Sequence, residues 1–230
     1  MKRLILFDID GTLMDADGAG RAALRGAMLE VYGRTGPIDG FNFQGKTDPA
    51  IVRELLRADG FTDARVDERL SDLWEKYCAG LDRELGARRA RLQAYPGVRA
   101  LLAHAQSDSR FTPALVTGNV EGGAWRKLRA CRLDAVFSFG AFGSDSEDRN
   151  DLPALAIQRA AKSTGIEFDA DEVIVIGDTP ADIRCARTAG VRALAVATGG
   201  FSGEQLAGHE PDYLFKELSD LDEVITAISS

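Results

Sequence analysis

Histidine, cysteine and proline are scarce in this chain: two His, three Cys and seven Pro among 230 residues. Cys78, Cys131 and Cys185 lie far apart with no CxxC spacing, which argues against both a zinc site and a disulfide framework. His104 falls in an amphipathic helical stretch and His209 in a Gly/Glu/Pro loop, so neither is expected to relay protons to a nucleophile. Long apolar runs are also missing, and none approaches the length of a membrane span. Met1-Lys2-Arg3 followed by Leu4-Ile5-Leu6-Phe7 mimics the start of a leader, but the apolar stretch stops after four residues at an acidic pair. Positive charge is in deficit, with 28 Lys and Arg against 36 Asp and Glu and a net charge of −8. That balance offers no broad footprint for nucleic acid or an anionic membrane. The expectation is a soluble, cytoplasmic protein with reduced thiols. Its partner would be a small molecule, and a small anion could still be held by a few local cations and a metal.

What is present is ordinary globular material, 45% hydrophobic and 28% charged, long enough for one large domain or two small ones. Apolar strand candidates recur at Leu4–Phe7, Pro113–Thr117, Ala135–Phe139, Val173–Gly177 and Arg192–Thr198, with a short sixth at Asp212–Phe215. Helical patterns separate them at about 97–107, 122–132, 152–164, 181–189 and 217–228. Continuous apolar strands alternating with helices predict an α/β fold with a parallel sheet covered on both faces. One stretch breaks the alternation. From about Gly18 to Gln93 the sequence holds helical segments (Ala22–Val31, Pro49–Asp59, Val66–Arg89) and no convincing strand, which is too long for a simple crossover. It reads as an inserted helical domain, with Tyr95-Pro96-Gly97 marking the return to the sheet.

Asp8-Ile9-Asp10-Gly11-Thr12-Leu13 follows the first strand directly. Residues i and i+2 of a strand share a face, so two carboxylates converge at its C-terminal end, where a cation or a shared proton must relieve their repulsion. Asp-Gly is also a hairpin signal, but the segment that follows looks helical rather than like a second strand. Thr117-Gly118-Asn119 ends the second strand, where a hydroxyl and free N–H groups at a tight turn can hold an anionic oxygen. The fourth strand runs into Gly177-Asp178-Thr179-Pro180-Ala181-Asp182. Thr179 reads as an N-cap, Pro180 as the first helical residue and Asp182 as the capping-box partner, with Gly190 closing the helix. Asp182 therefore has a structural reason to be there; Asp178, ahead of the cap, has none, and could join Asp8 on a metal ion. Arg149 is a lone cation in the acidic run Ser144–Asp151.

Together these segments resemble the haloacid-dehalogenase-like hydrolases, in particular the branch of phosphoglycolate phosphatases and β-phosphoglucomutases. Asp8–Leu13 matches the family's first motif, Thr117-Gly118-Asn119 the second and Gly177–Asp182 the fourth, in the same order over nearly the whole chain. The resemblance implies a Rossmann-like core over residues 1–17 and 94–230 and a helical cap over 18–93. Within the cap, Phe43–Asp48 looks like the loop that faces the active site, and Lys46 is the residue there expected to touch substrate. The third motif departs from the family, because its usual lysine is missing. Arg149, 32 residues after Thr117 and 29 before Asp178, stands at the right distance; Lys127 and Lys162 are weaker candidates because both fall inside predicted helices.

The resemblance further implies hydrolysis of a small phosphomonoester through an aspartyl-phosphate on Asp8, with Asp10 as acid and base. Thr117, Gly118, Asn119 and Arg149 would bind the phosphoryl group. Mg²⁺ would be held by Asp8, the Asp10 backbone carbonyl, Asp178 and, as an outer ligand, Asp182. Three rivals differ in a named feature. A metal-free dehalogenase would lack Asp10. A sugar-phosphate mutase would carry a histidine early in the cap, where this chain reads Ala16-Asp17-Gly18-Ala19-Gly20-Arg21. A non-catalytic phosphate sensor would have no need of Asp10.

Overall fold

The computed structural model describes residues 2–230. The sheet strands are β1 (Arg3–Phe7), β4 (Phe111–Thr117), β5 (Gly140–Phe142), β6 (Val173–Gly177), β7 (Arg192–Val196) and β8 (Tyr213–Phe215); β2 (Met14–Asp15) and β3 (Gln93–Ala94) form a separate antiparallel pair. The helices are α1 (Ala19–Tyr32), α2 (Asp48–Ala58), α3 (Asp63–Asp67), α4 (Leu70–Ala87), α5 (Val98–Ser107), α6 (Glu121–Cys131), α7 (Leu152–Thr164), α8 (Pro180–Thr188), α9 (Gly203–Ala207) and α10 (Leu221–Ser229).

All five residues of β1 are buried, and β1 lies at the centre of a sheet ordered β5-β4-β1-β6-β7-β8 with every pairing parallel. Period-two alternation divides the strand between two cores. Ile5 and Phe7 pack with Leu101, Leu115, Ile174 and Val224 on one face. Leu4 and Leu6 pack with Val116, Leu152, Val175 and Ile183 on the other. The chain leaves β1 toward β4 and β5, then returns to its other side at β6. The strand order thus reverses at β1, and ligands of such sheets bind beyond the strands' C-terminal ends at that point.

Helices α1 to α4 lie between β2 and β3, and α1 packs along α4, which also touches α6. Their inward residues, among them Leu24, Met28, Leu55, Leu73 and Tyr77, share one continuous apolar cluster with Phe7 of the sheet. Among the described residues no helix is long and apolar enough to cross a membrane.

Two local expectations need correction. The third sheet strand is Gly140–Phe142, not Ala135–Phe139; residues Asp134–Val136 make a 3₁₀ turn, and Phe137 packs edge-on against Phe7 with ring centroids 5.9 Å apart. A strand can approach β4 only where Gly140 removes the side chain, since a Cβ there would sit 2.5 Å from Leu115 Cβ. The stretch Val66–Arg89 is two helices, because Arg69 leaves helical geometry (φ −129°) and its guanidinium caps the Val31 carbonyl at the end of α1. The two-residue pair β2–β3 is too short to leave a periodicity in the sequence.

Candidate active site

The motif residues singled out above lie at the C-terminal ends of β1, β4 and β6, in the turn after β5 or, for Asp182, in the first turn of α8; the loops beyond those strands, with side chains of α1, α2 and α4, bound a cavity of about 350 Å³. Asp8 follows β1 and its backbone N–H donates to the Ile176 carbonyl of β6 at 3.0 Å. Asp178 follows β6. Its carboxylate accepts from Thr12 Oγ1 at 2.9 Å and is walled by two glycines: a Cβ at Gly11 would lie 2.2 Å from Asp178 Oδ2, and one at Gly199 would lie 1.8 Å from it. Gly11 also has φ +85°, a left-handed conformation that a side chain would strain.

Asp8, Asp178 and Asp182 are buried, and each offers an oxygen within 4.8 Å of the others. Asp182 forms the expected capping box, with Oδ2 accepting from the Thr179 N–H at 3.0 Å and from Thr179 Oγ1 at 2.7 Å, while Oδ1 takes Arg149 Nη2 at 2.5 Å. Both its oxygens are thus engaged, which suits an orienting part better than direct coordination. Asp8 and Asp178 remain the open pair. Burial pushes the Asp8 carboxyl up to about 6, against the pull of Arg149 and with the help of Asp182 and Asp10. Burial, then the charges of Asp182 and Asp8, push Asp178 well above the usual carboxylate range. One guanidinium stands beside three buried carboxylates and contacts two of them, so the cluster holds more acidic groups than its single cation can balance. Hard oxygen donors in that arrangement fit a divalent cation.

Arg149 sits in a 3₁₀ turn (Arg149–Asp151) ahead of α7, is 7% exposed, and bridges Asp182 and Asp8 (3.2 Å). Burial opposes its charge, but the two carboxylates outweigh that and hold its pKa well above the ordinary arginine value. Its Nε is buried without a hydrogen-bond partner among the described residues, and its Nη1 lies against the Gly118 turn, 3.0 Å from where a Cβ on Gly118 would stand. Thr117, Gly118 and Asn119 turn tightly after β4. Asn119 Nδ2 donates to Thr117 Oγ1 and to Asp10 Oδ2, both at 2.8 Å. Asp10 is not part of the three-carboxylate cluster, and its side chain faces the cavity.

The loop before α2 lies over this turn. The Gly118 carbonyl accepts the Asp48 N–H at 2.7 Å, Asp48 Oδ2 accepts the Val120 N–H at 2.8 Å, and Thr47 Oγ1 donates to the Glu147 carbonyl at 2.8 Å. Lys46 lines the cavity, but its ammonium is held by Glu54 at 2.5 Å and lies over the Phe41 ring.

Sequence reasoning missed two residues. Lys127, set aside because it falls inside a helix, is 5% exposed and reaches the cavity, with Nζ 2.6 Å from Asp10 Oδ2 and 2.5 Å from Asn119 Oδ1. The signal was available: Lys127 stands on the inward stripe of α6 with Ala124, Leu128 and Cys131, where an unpaired lysine is not tolerated. Asp48 is the second. Burial pushes it up to about 6, opposed by Lys127 and by the Val120 N–H.

The model of the haloacid dehalogenase-like hydrolases matches residues 5–187, and the chain belongs to that family. Fold, carboxylate set and family together define a hydrolase of the phosphatase class. The chain is 27% identical over 225 residues to the phosphoglycolate phosphatase of Pseudomonas syringae pv. tomato, covering 96% of this chain and 79% of the relative. It is 26% identical over 234 residues to that of Synechococcus elongatus, covering 97% of each. A crystal structure of a hydrolase from Pseudomonas syringae shares the fold with a TM-score of 0.73 over the full length of both chains, at 24% identity.

Proposed function

We propose that this chain is a cytoplasmic, Mg²⁺-dependent phosphomonoesterase that transfers the phosphoryl group of a small phosphorylated metabolite to Asp8 and then to water, as the phosphoglycolate phosphatases it resembles suggest. The observation that carries the proposal is the convergence of Asp8 and Asp178 beside Arg149 at the floor of the cavity. Residues 1–17 and 94–230 act as the catalytic core and residues 18–93 as a cap.

Asp8 supplies the attacking oxygen and becomes the acyl phosphate. Asp10 gives its proton to the departing alcohol, then accepts a proton from the water that attacks the phosphoryl group and frees Asp8. The hydroxyl of Thr117, the backbone of Gly118, Asn119 and the Arg149 guanidinium hold the phosphoryl oxygens as charge redistributes. Asp8, Asp178 and the Asp10 carbonyl, with Asp182 behind them, would hold Mg²⁺, which would supply positive charge to offset the nucleophile and the phosphoryl oxygens. The cap excludes bulk water, which strengthens every charge interaction within. Lys46, at the cap rim, exchanges Glu54 for the leaving group.

The absence of a histidine at Ala16–Arg21 favours hydrolysis over mutase chemistry, and a phosphate sensor would not require Asp10 aimed into the cavity. The test is phosphate release from a panel of phosphorylated metabolites with Mg²⁺ and with chelator. Activity is expected only with metal, and Asp8→Asn is expected to abolish it with the fold retained. Turnover that survives chelation, or that Asp8→Asn leaves unchanged, rejects the reading.

A further inference from the structure

One charged side chain in the cavity has no part in the scheme above. Lys127 enters from α6, a helix of the sheet layer, and its ammonium lies beneath the cap: a Cβ on Gly20 of α1 would be 3.4 Å from Nζ, and 3.7 Å from the hydroxyl of Tyr77 on α4. The ammonium is therefore closed off from bulk water on the cap side. Below, it meets Asp10 Oδ2 at 2.6 Å and Asn119 Oδ1 at 2.5 Å. Asn119 Nδ2 binds the same Asp10 oxygen at 2.8 Å, so Lys127, Asn119 and Asp10 close a ring of three hydrogen bonds. The ring uses Oδ2 alone, and no hydrogen bond among the described residues engages Oδ1.

From this geometry we infer that Lys127 is the positioning residue of the acid–base carboxyl: it and Asn119 pin one oxygen of Asp10 so that the other is presented to the leaving group and to the hydrolytic water. The inference rests on the phosphatase reading of Asp10. A carboxylate on a free rotor spends most of its time out of line, and small misplacements of a catalytic group cost large factors in rate. Two hydrogen bonds to one oxygen stop that rotation. Asn119 is itself held by Thr117 Oγ1 at 2.8 Å and by Lys127 at 2.5 Å, so Lys127 acts on Asp10 both directly and through the amide.

The test separates positioning from mere packing by the dependence on leaving group. An alkyl phosphate needs a proton on its departing oxygen, whereas p-nitrophenyl phosphate leaves readily without one. Lys127→Met is expected to lower kcat/KM for an alkyl phosphate by ~30-fold or more, a fraction of the full acid–base contribution, while kcat/KM for p-nitrophenyl phosphate stays within about threefold. With the aryl ester kcat should fall and a burst of p-nitrophenol should appear, because the same carboxyl also activates water for the second step. Lys127→Arg should recover part of the alkyl activity. Equal loss on both esters, or no loss on either, overturns the inference. Asp10→Asn, run in parallel, separates it from the reading beneath it: if Asp10→Asn shows the leaving-group pattern and Lys127→Met does not, only the part given to Lys127 fails. A readout independent of turnover is the Asp10 rotamer in crystal structures of both proteins. Asp10 is expected to lose its single orientation in Lys127→Met, and an unchanged, well-ordered carboxyl refutes the claim. Should Lys127→Met not fold, Lys127→Gln, which loses the charge and is one bond shorter, carries the same two measurements.

Discussion

Gly118→Ala is a substitution of one methyl group whose effect follows from distances. A Cβ at this position would stand 2.2 Å from the Lys46 carbonyl oxygen and 3.0 Å from Arg149 Nη1, where ordinary contact begins at 3.4 Å. The loop before α2 must therefore withdraw by about 1.2 Å, because the atom the methyl meets there is backbone rather than the end of a flexible side chain. A withdrawal of that size breaks the hydrogen bond from the Asp48 N–H to the Gly118 carbonyl, now 2.7 Å, and strains the one from the Val120 N–H to Asp48, now 2.8 Å. At about 1 kcal/mol net for each bond, the closed arrangement of loop and turn loses about 2 kcal/mol, equivalent to roughly 30-fold in a closing equilibrium. None of the three clustered carboxylates lies among the atoms the added methyl would meet. The expected signature is a fall of about 30-fold in kcat/KM, with Mg²⁺ affinity unchanged and the melting temperature lowered by only a few degrees. Steady-state kinetics beside a metal titration of the same preparation decides the matter. Kinetics indistinguishable from wild type would show that the contact between Lys46 and Gly118 does not govern closure, and an equal loss of metal affinity would show that the substitution acts on the carboxylates instead.

Two further outcomes follow from the buried charges. Asp8 titrates at about 6 in the folded chain against 3.8 for the ordinary carboxyl, so the folded state binds this proton more tightly than the unfolded state. The group therefore costs stability once ionised: with chelator present, its penalty is absent below about pH 4, grows as pH rises through about 6, and amounts to some 3 kcal/mol above that. Asp8→Asn should accordingly melt higher than wild type at pH 7 without metal, with the gap closing toward pH 4; a gap of constant size or opposite sign contradicts the assignment. Arg149→Ala leaves Asp8 and Asp182 facing each other without their shared cation, and breaking such a buried pair should lower stability by about 3–5 kcal/mol. Mg²⁺ should restore part of that, and phosphate affinity should remain weak. Equilibrium unfolding with and without the ion reads both effects, and Arg149→Ala with wild-type stability and kcat/KM would pass the phosphoryl site to another cation.

Much of this site was legible because its parts are contiguous. Asp8 and Asp10 sit two residues apart after an apolar run, and the capping box at Thr179 and Asp182 is a local device that needs no tertiary partner. Arg149 could be placed by its distance along the chain from two other motifs. The strand at Gly140–Phe142 was displaced in the reading because Val136 and Phe137 carry the apolar signal, while the residue that permits pairing, Gly140, carries none. Lys127 is hidden in the sequence by its helical setting, although α6 begins directly after the turn that holds Asn119.

The chain's own order of residues determined the parallel α/β sheet, the helical insert and which carboxylates close each strand, because hydrophobic period and capping chemistry act over a few neighbouring positions. Only the tertiary structure decided which charge meets which: that Arg149 lies between Asp8 and Asp182, that Lys46 is held by Glu54, and that Lys127 reaches Asp10 across 117 positions of chain. Coulomb and hydrogen-bond energies depend on separation in space and on the exclusion of water, and both arise only when the sheet and the helices above it are packed together.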